Sequence, residues 1–184
     1  HPQLFTIQSP SLHIGANSPL SLYLPMHPSS IKRIIIKRFR SFPAATLDFD
    51  NPLFLVGRNG AGKSNLTDVF DFVSEAMTSP LQAVFDRRGG LSAVRNRTSG
   101  QSFPPNLGLA FEFGPNESIT SGRFAFEVKA LPNFGYKIMH EQCVVTTKAG
   151  QRWWFDRTDK WLSNIDGLVP ATEPTALALP LVGG

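Results

Sequence analysis

At 184 residues, with 41% apolar and 17% charged content, the chain is long enough to bury one substantial core and lies far from the polar, highly charged compositions of disordered proteins. Its net charge of +4 is too mild to demand a polyanionic partner, and Cys143, the lone cysteine, excludes an intrachain disulfide and fits a reducing cytosol, so a cytoplasmic protein is expected. No run approaches the eighteen or so apolar residues that cross a bilayer, and no basic leading region marks a signal peptide, so no membrane association is expected.

Residues 1–31 contain no Lys, Arg, Asp or Glu but include Pro2, Pro10, Pro19, Pro25 and Pro28, which predicts a poorly ordered leader over 1–30. A domain is expected from residue 31 to residue 184. Its first strand is residues 31–39, apolar and β-branched with Lys32, Arg33, Lys37 and Arg38 interleaved. Arg40-Ser41-Phe42-Pro43 ends that strand, residues 46–49 make a short second one, and Asp50-Asn51-Pro52 turns the chain. The apolar run 53–56 reads as a buried strand.

Residues 57–64, Gly57-Arg58-Asn59-Gly60-Ala61-Gly62-Lys63-Ser64, fit the phosphate-loop pattern of two glycines five apart followed by Lys and a hydroxyl residue. Gly57, Gly60 and Gly62 let the backbone turn tightly and approach an anion without a side chain in the way. Amides pointing inward, with the positive end of a helix starting near Gly62, would cradle the β-phosphate of a nucleotide. Lys63 is the mobile point charge able to reach the β- and γ-phosphates, and is the candidate catalytic residue. The Ser64 hydroxyl is placed to ligate Mg²⁺. The expected ligands are therefore a nucleotide and Mg²⁺, bound by Gly57, Arg58, Asn59, Gly60, Ala61, Gly62, Lys63, Ser64 and Asn65.

Leu66, Val69, Phe70, Val73, Ala76 and Met77 recur at three- and four-residue steps and predict a helix that stops before Pro80. Asp68, Asp71 and Glu75 fall on its other side, as solvated charge complementing the helix dipole. Residues 81–94 suggest another short helix interrupted by Gly89-Gly90, and 95–106 a polar loop. Alternation then sets in at Leu107, Leu109, Phe111 and Phe113, and again at Phe124, Phe126 and Val128, with 136–147 and 151–155 continuing one sheet through a turn at Lys148-Ala149-Gly150. This is an antiparallel β-subdomain over about 107–156. Beyond Leu162 the pattern fades.

Two short matches imitate further nucleotide machinery. Thr98-Ser99-Gly100-Gln101 contains the Ser-Gly-Gln of an ABC signature but lies in a polar loop, and Trp153-Trp154-Phe155-Asp156 imitates an apolar strand ending in a metal-holding Asp but is followed by Arg157 and reads as a hairpin strand. A guanine-specifying motif is wanting too: Thr147-Lys148-Ala149-Gly150 has Gly where Asp is needed.

Residues 34–42, Ile34-Ile35-Ile36-Lys37-Arg38-Phe39-Arg40-Ser41-Phe42, followed by a short strand and the loop at 57–66, resemble the N-terminus of RecF/SMC-type ATPases, which belong to the ABC-type heads. Gly89-Gly90-Leu91-Ser92-Ala93-Val94-Arg95 with the β-rich stretch after it resembles one branch, the predicted AAA-type ATPases related to OLD proteins. The resemblance implies an α/β P-loop NTPase, the N-terminal lobe of an ABC-type head, with ATP as its nucleotide. Two such heads would close head to tail around two ATP molecules, with DNA as a further partner. It also implies that Arg40 and Ser41 neighbour the phosphates or base and that Asn59 faces the γ-phosphate. Neither a signature helix nor a strand ending in Asp-Glu is present, so the chain is expected to be the first part of a longer protein, binding ATP but turning it over little by itself. The alternatives are a nucleotide-dependent interaction module that does not hydrolyse, and a small P-loop kinase with Arg87, Arg88, Arg95 and Arg97 as lid residues.

Overall fold

The computed structural model of the chain describes residues 30–49, 55–96, 106–132, 135–166 and 173–179. Residues 1–29 of the leader expected over 1–30, and the Ser-Gly-Gln match at 98–101, lie outside them. Among the described residues seven strands form a single antiparallel sheet: β1 (Ile31–Phe39), β2 (Phe42–Asp48), β3 (Leu107–Phe113), β4 (Ile119–Ala130), β5 (Tyr136–Thr147), β6 (Arg152–Arg157) and β7 (Trp161–Ser163), in the order β2-β1-β3-β4-β5-β6-β7. Among the same residues three helices, α1 (Lys63–Ala76), α2 (Leu81–Asp86) and α3 (Leu91–Val94), fall between β2 and β3.

Strand periodicity decides which face the helices cover. Ile34 and Ile36 of β1, Leu107, Leu109 and Phe111 of β3, and Phe124, Phe126 and Val128 of β4 point to one side and are buried. Helix α1 lies on that side. Its Phe72 ring packs edge-on against Phe39 at 5.4 Å and stacks with Phe126 at 6.5 Å, while Phe85 of α2 meets Tyr136 of β5 at 5.0 Å. The opposite side carries cross-strand ion pairs in register: Arg33 to Asp48 at 2.5 Å, Arg123 to Glu112 at 2.5 Å and Lys37 to Glu127 at 3.2 Å. A sheet with one packed and one charged face is what alternating antiparallel strands should give.

Four elements differ from the sequence expectation. The second strand begins at Phe42, four residues before Thr46, because Arg40-Ser41 alone turns the hairpin: Arg40 takes a left-handed φ of 48° and Phe42 pairs back with Phe39. Pro43 is tolerated there because β2 is an edge strand. The strand expected at 53–56 is not seen at Leu55 and Val56, which have no sheet partner among the described residues and are 42% and 89% exposed; Leu53 and Phe54 lie outside those residues. On α1 the fully buried position is Phe72, with Leu66, Val69, Val73 and Ala76, whereas Phe70 sits at the margin against Phe49 at 6.0 Å. Strand β7, hidden in the sequence, closes the far edge.

Candidate functional site

Helix α1 begins at Lys63, and its first hydrogen bond runs from the Leu66 amide to the Gly62 carbonyl at 3.0 Å. Gly62 caps it with a φ of 90°, and Gly60 takes 82°, both in the left-handed region that favours glycine. A Cβ at Gly62 would only reach ordinary contact with the Phe42 ring at 3.6 Å. Glycine is therefore favoured there by its backbone.

Lys63 folds back across the loop. Its ammonium donates to the Gly57 carbonyl at 2.6 Å and to the Arg58 carbonyl at 2.8 Å, while the Ala61 amide donates to the Arg58 oxygen at 3.2 Å. An ammonium has three donors, so two spent on the loop leave one for a ligand. The same lysine thus braces the loop and faces a cavity of about 420 Å³ lined by Asn59, Gly60, Gly62, Lys63, Ser64 and Asn65. Six of the residues singled out in the sequence come together there; Gly57 and Arg58 stand behind as acceptors, and Ala61 in the bend. Ser64 is exposed at the helix start, where its hydroxyl suits a hard cation whose remaining ligands are phosphate oxygens and water.

Arg40 and Ser41 are tied to the same helix. Ser41 Oγ accepts from Asn65 Nδ2 at 2.6 Å, and Arg40 Nε donates to Asp68 Oδ2 at 2.7 Å. Asp68 also receives Arg88 Nε at 3.1 Å, and Arg88 grips Glu75 through both terminal nitrogens at 2.9 and 2.8 Å. Arg87 adds a bond to Glu75 at 2.7 Å. The Arg88 hydrogen bonds, with Arg87 adding to them and burial opposing, push the Glu75 carboxyl down to about 2. The sequence reading placed Asp68 and Glu75 in solvent; they are ion-pair partners. Their spacing of seven on one helix face, with an Arg pair just after α2, is the signal that could have revealed it.

Asp156 sits inside β6, paired with β5 and β7, where it accepts from Gln142 at 3.0 Å and meets His140 at 3.2 Å, so the hairpin reading of Trp153-Trp154-Phe155-Asp156 holds. Burial, with the Glu141 charge adding, pushes the Cys143 thiol up to about 12, which leaves it inert at neutral pH. Among the described residues no group of His, Cys, Asp and Glu is arranged to hold a metal by itself, and no helix is long and apolar enough to cross a membrane.

A glycine loop braced by its own lysine at the start of a helix that packs on a sheet defines a P-loop NTPase. Over residues 53–166 the sequence matches the family model described as AAA domain, putative AbiEii toxin, Type IV TA system, and the chain belongs to that family. The expectation of an AAA-type nucleotide-binding ATPase is met. Among solved structures, one from work on the ATP-driven dimerization and DNA-stimulated activation of SMC ATPases is similar at 17% identity, with a TM-score of 0.39, over 72% of this chain and 71% of that one. No curated protein matches the sequence.

Proposed function

We propose that this chain binds Mg-ATP at the 57–65 loop as the N-terminal lobe of an ABC-type head. In that reading ATP drives head-to-tail closure of two copies, in the cytoplasm, to regulate a DNA-related or defence activity carried elsewhere in the protein. The observation that carries ATP binding is Lys63: its ammonium holds the Gly57 and Arg58 carbonyls and still lines the cavity, so the cradle is shaped before a phosphate arrives. Gly57 to Gly62 would supply amides to the β-phosphate, Lys63 the charge on the β- and γ-phosphates, Ser64 a ligand to Mg²⁺, and Asn59 a contact on the γ-phosphate side. Closure follows if each γ-phosphate is gripped from both copies, since ATP then binds the closed state more tightly than the open one.

A second reading, a module that senses ATP without hydrolysing it, is favoured by one feature. Asp68, the carboxylate one helical turn past Ser64, is already held by Arg40 and Arg88 and is not free to hold metal or orient water. The kinase alternative loses ground because Arg87 and Arg88 are spent on Glu75.

Calorimetric titration of the wild type and Lys63→Ala with Mg-ATP tests the assignment. Removing the ammonium should weaken binding by at least tenfold, about 1.4 kcal/mol or more, with the melting temperature little changed. Equal affinities would refute the site. Light scattering in the same titration reads closure: a wild type that stays monomeric at saturating ATP removes the dimer from the proposal for this chain.

A further inference from the structure

Resting on the ATP reading of the loop, we propose that Asp68 is a positioning residue for that site: it fixes where the Arg40-Ser41 turn stands against the first turn of α1. The turn cannot hold itself. Arg38 and Arg40 adopt φ of 56° and 48°, left-handed values that non-glycine residues take at a cost of about 1–2 kcal/mol each. Neighbours therefore determine the conformation. The Arg40 amide donates to the Val94 carbonyl at 2.7 Å, its own carbonyl accepts from Asn96 Nδ2 at 2.6 Å, and the Asn96 amide donates to the Arg38 carbonyl at 2.9 Å.

Those bonds hold the turn's backbone to the last residue of α3 and to Asn96 just after it. What draws it onto the loop helix is the side-chain circuit. Arg40 Nη1 donates to the Ala93 carbonyl at 3.0 Å while Nε reaches Asp68, and Ser41 meets Asn65 three residues earlier on the same helix. Asp68 is itself immobilised. Its second partner, Arg88, is 9% exposed, lies over the Phe72 ring at 5.4 Å and is locked to Glu75. The circuit thus runs from the core through Phe72 and Glu75 to Arg88, Asp68 and Arg40, and returns through Ser41 to the cavity-lining Asn65. Asp68 lies about 6 Å along the helix from Ser64. A carboxylate serving only solubility would turn outward; this one is 24% exposed and pinned by two guanidinium groups.

With Asp68 neutralised, the Arg40 guanidinium loses its charged anchor, and Ser41 and Phe42 are free to shift against Asn65 and Gly62. The experiment is a double-mutant cycle on the full chain, read as Mg-ATP affinity for wild type, D68N, R40Q and the pair. D68N should weaken binding about five- to tenfold and R40Q at least as much, with the double variant no weaker than R40Q, because Asp68 acts through Arg40. Additive losses, or wild-type affinity in D68N, overturn the role of Asp68. Failure of the wild type to bind ATP would instead sink the ATP reading on which it rests. Should D68N lower the melting temperature by more than about 5 °C, D68E, which carries the charge one methylene further out, takes its place under the same demand for non-additivity with R40Q.

Discussion

Glu75 shows how a charge on the polar side of a helix becomes structural once its partners are known. Its carboxyl is held at about 2, against an ordinary value of 4.5, so the folded state binds this proton more weakly than the unfolded chain. The resulting stability is complete above about pH 4.5 and is lost as pH falls toward 2. The side chain is 35% exposed, so screening reduces the contribution to about 1–2 kcal/mol. Urea unfolding should accordingly find Glu75→Gln less stable than wild type by that amount at pH 7, with the gap narrowing as pH falls from 4.5 toward 2. A gap independent of pH would show that the carboxylate charge is not what Arg87 and Arg88 hold. The phosphate loop was legible from sequence because its chemistry is local: eight consecutive residues carry both the bend and the charge. The roles of Asp68 and Glu75 were not, since their partners Arg40 and Arg88 stand 28 and 13 residues away. Only the packing of α2 on α1 and the Arg40 turn brings them within reach.

The same limit governs whole elements. Strands β1, β3 and β5 were readable at the right bounds, β1 and β3 from apolar alternation and β5 from the Lys148-Ala149-Gly150 turn that ends it. Strand β7 was not, because it is three residues long and defined only by its pairing with β6, nor was the segment 173–179, because side chains distant in sequence place it. Glu141 of β5 is fully buried, and accepts from the Ala178 amide at 2.7 Å and the Leu179 amide at 2.8 Å, with Arg157 at 3.4 Å. Burial raises its pKa, against the pull of those amides and of Arg157. Arg157 in turn donates to the Ala176 and Glu173 carbonyls at 2.7 and 2.9 Å, and the Tyr136 hydroxyl donates to the Thr175 carbonyl at 3.0 Å. The segment is thereby strapped across the end of the sheet, covering Leu177 and Ala178. Glu141→Ala would leave the Ala178 and Leu179 amides without their acceptor and Arg157 without its carboxylate, at a cost of about 2–4 kcal/mol. Hydrogen exchange should show the Ala178 and Leu179 amides losing at least tenfold of their protection, while β1 and β3 lose no more than the global change in stability. Unchanged exchange at those two amides would mean that the strap is held by its other contacts, the Arg157 and Tyr136 hydrogen bonds among them, and not by Glu141.

At the scale of the molecule, one ring joins the half that carries the loop to the half that carries the sheet. Phe72 projects from the middle of α1 into contact with Phe39 of β1, Phe85 of α2 and Phe126 of β4, and supports Arg88 on its face. Helix and sheet therefore share one core, and among the described residues Leu55 and Val56, before the loop at the head of α1, pair with no strand. The loop's geometry must then persist only while the whole sheet persists. The chain carries natural reporters for testing this, since Trp153, Trp154 and Trp161 all lie on β6 and β7, at the opposite end of the strand order from β2 and the Arg40 turn. Phe72→Ala removes the shared ring at a cost of about 3–5 kcal/mol, a large share of the 5–15 kcal/mol that holds a domain of this size. In a urea titration, tryptophan fluorescence at the far edge and ATP-binding competence at the loop should fall together in the wild type, and together again at lower urea in Phe72→Ala. If binding is lost well before the tryptophans respond, the loop helix unfolds by itself and Phe72 does not couple it to the sheet; coincident loss makes the nucleotide cradle a property of the entire core.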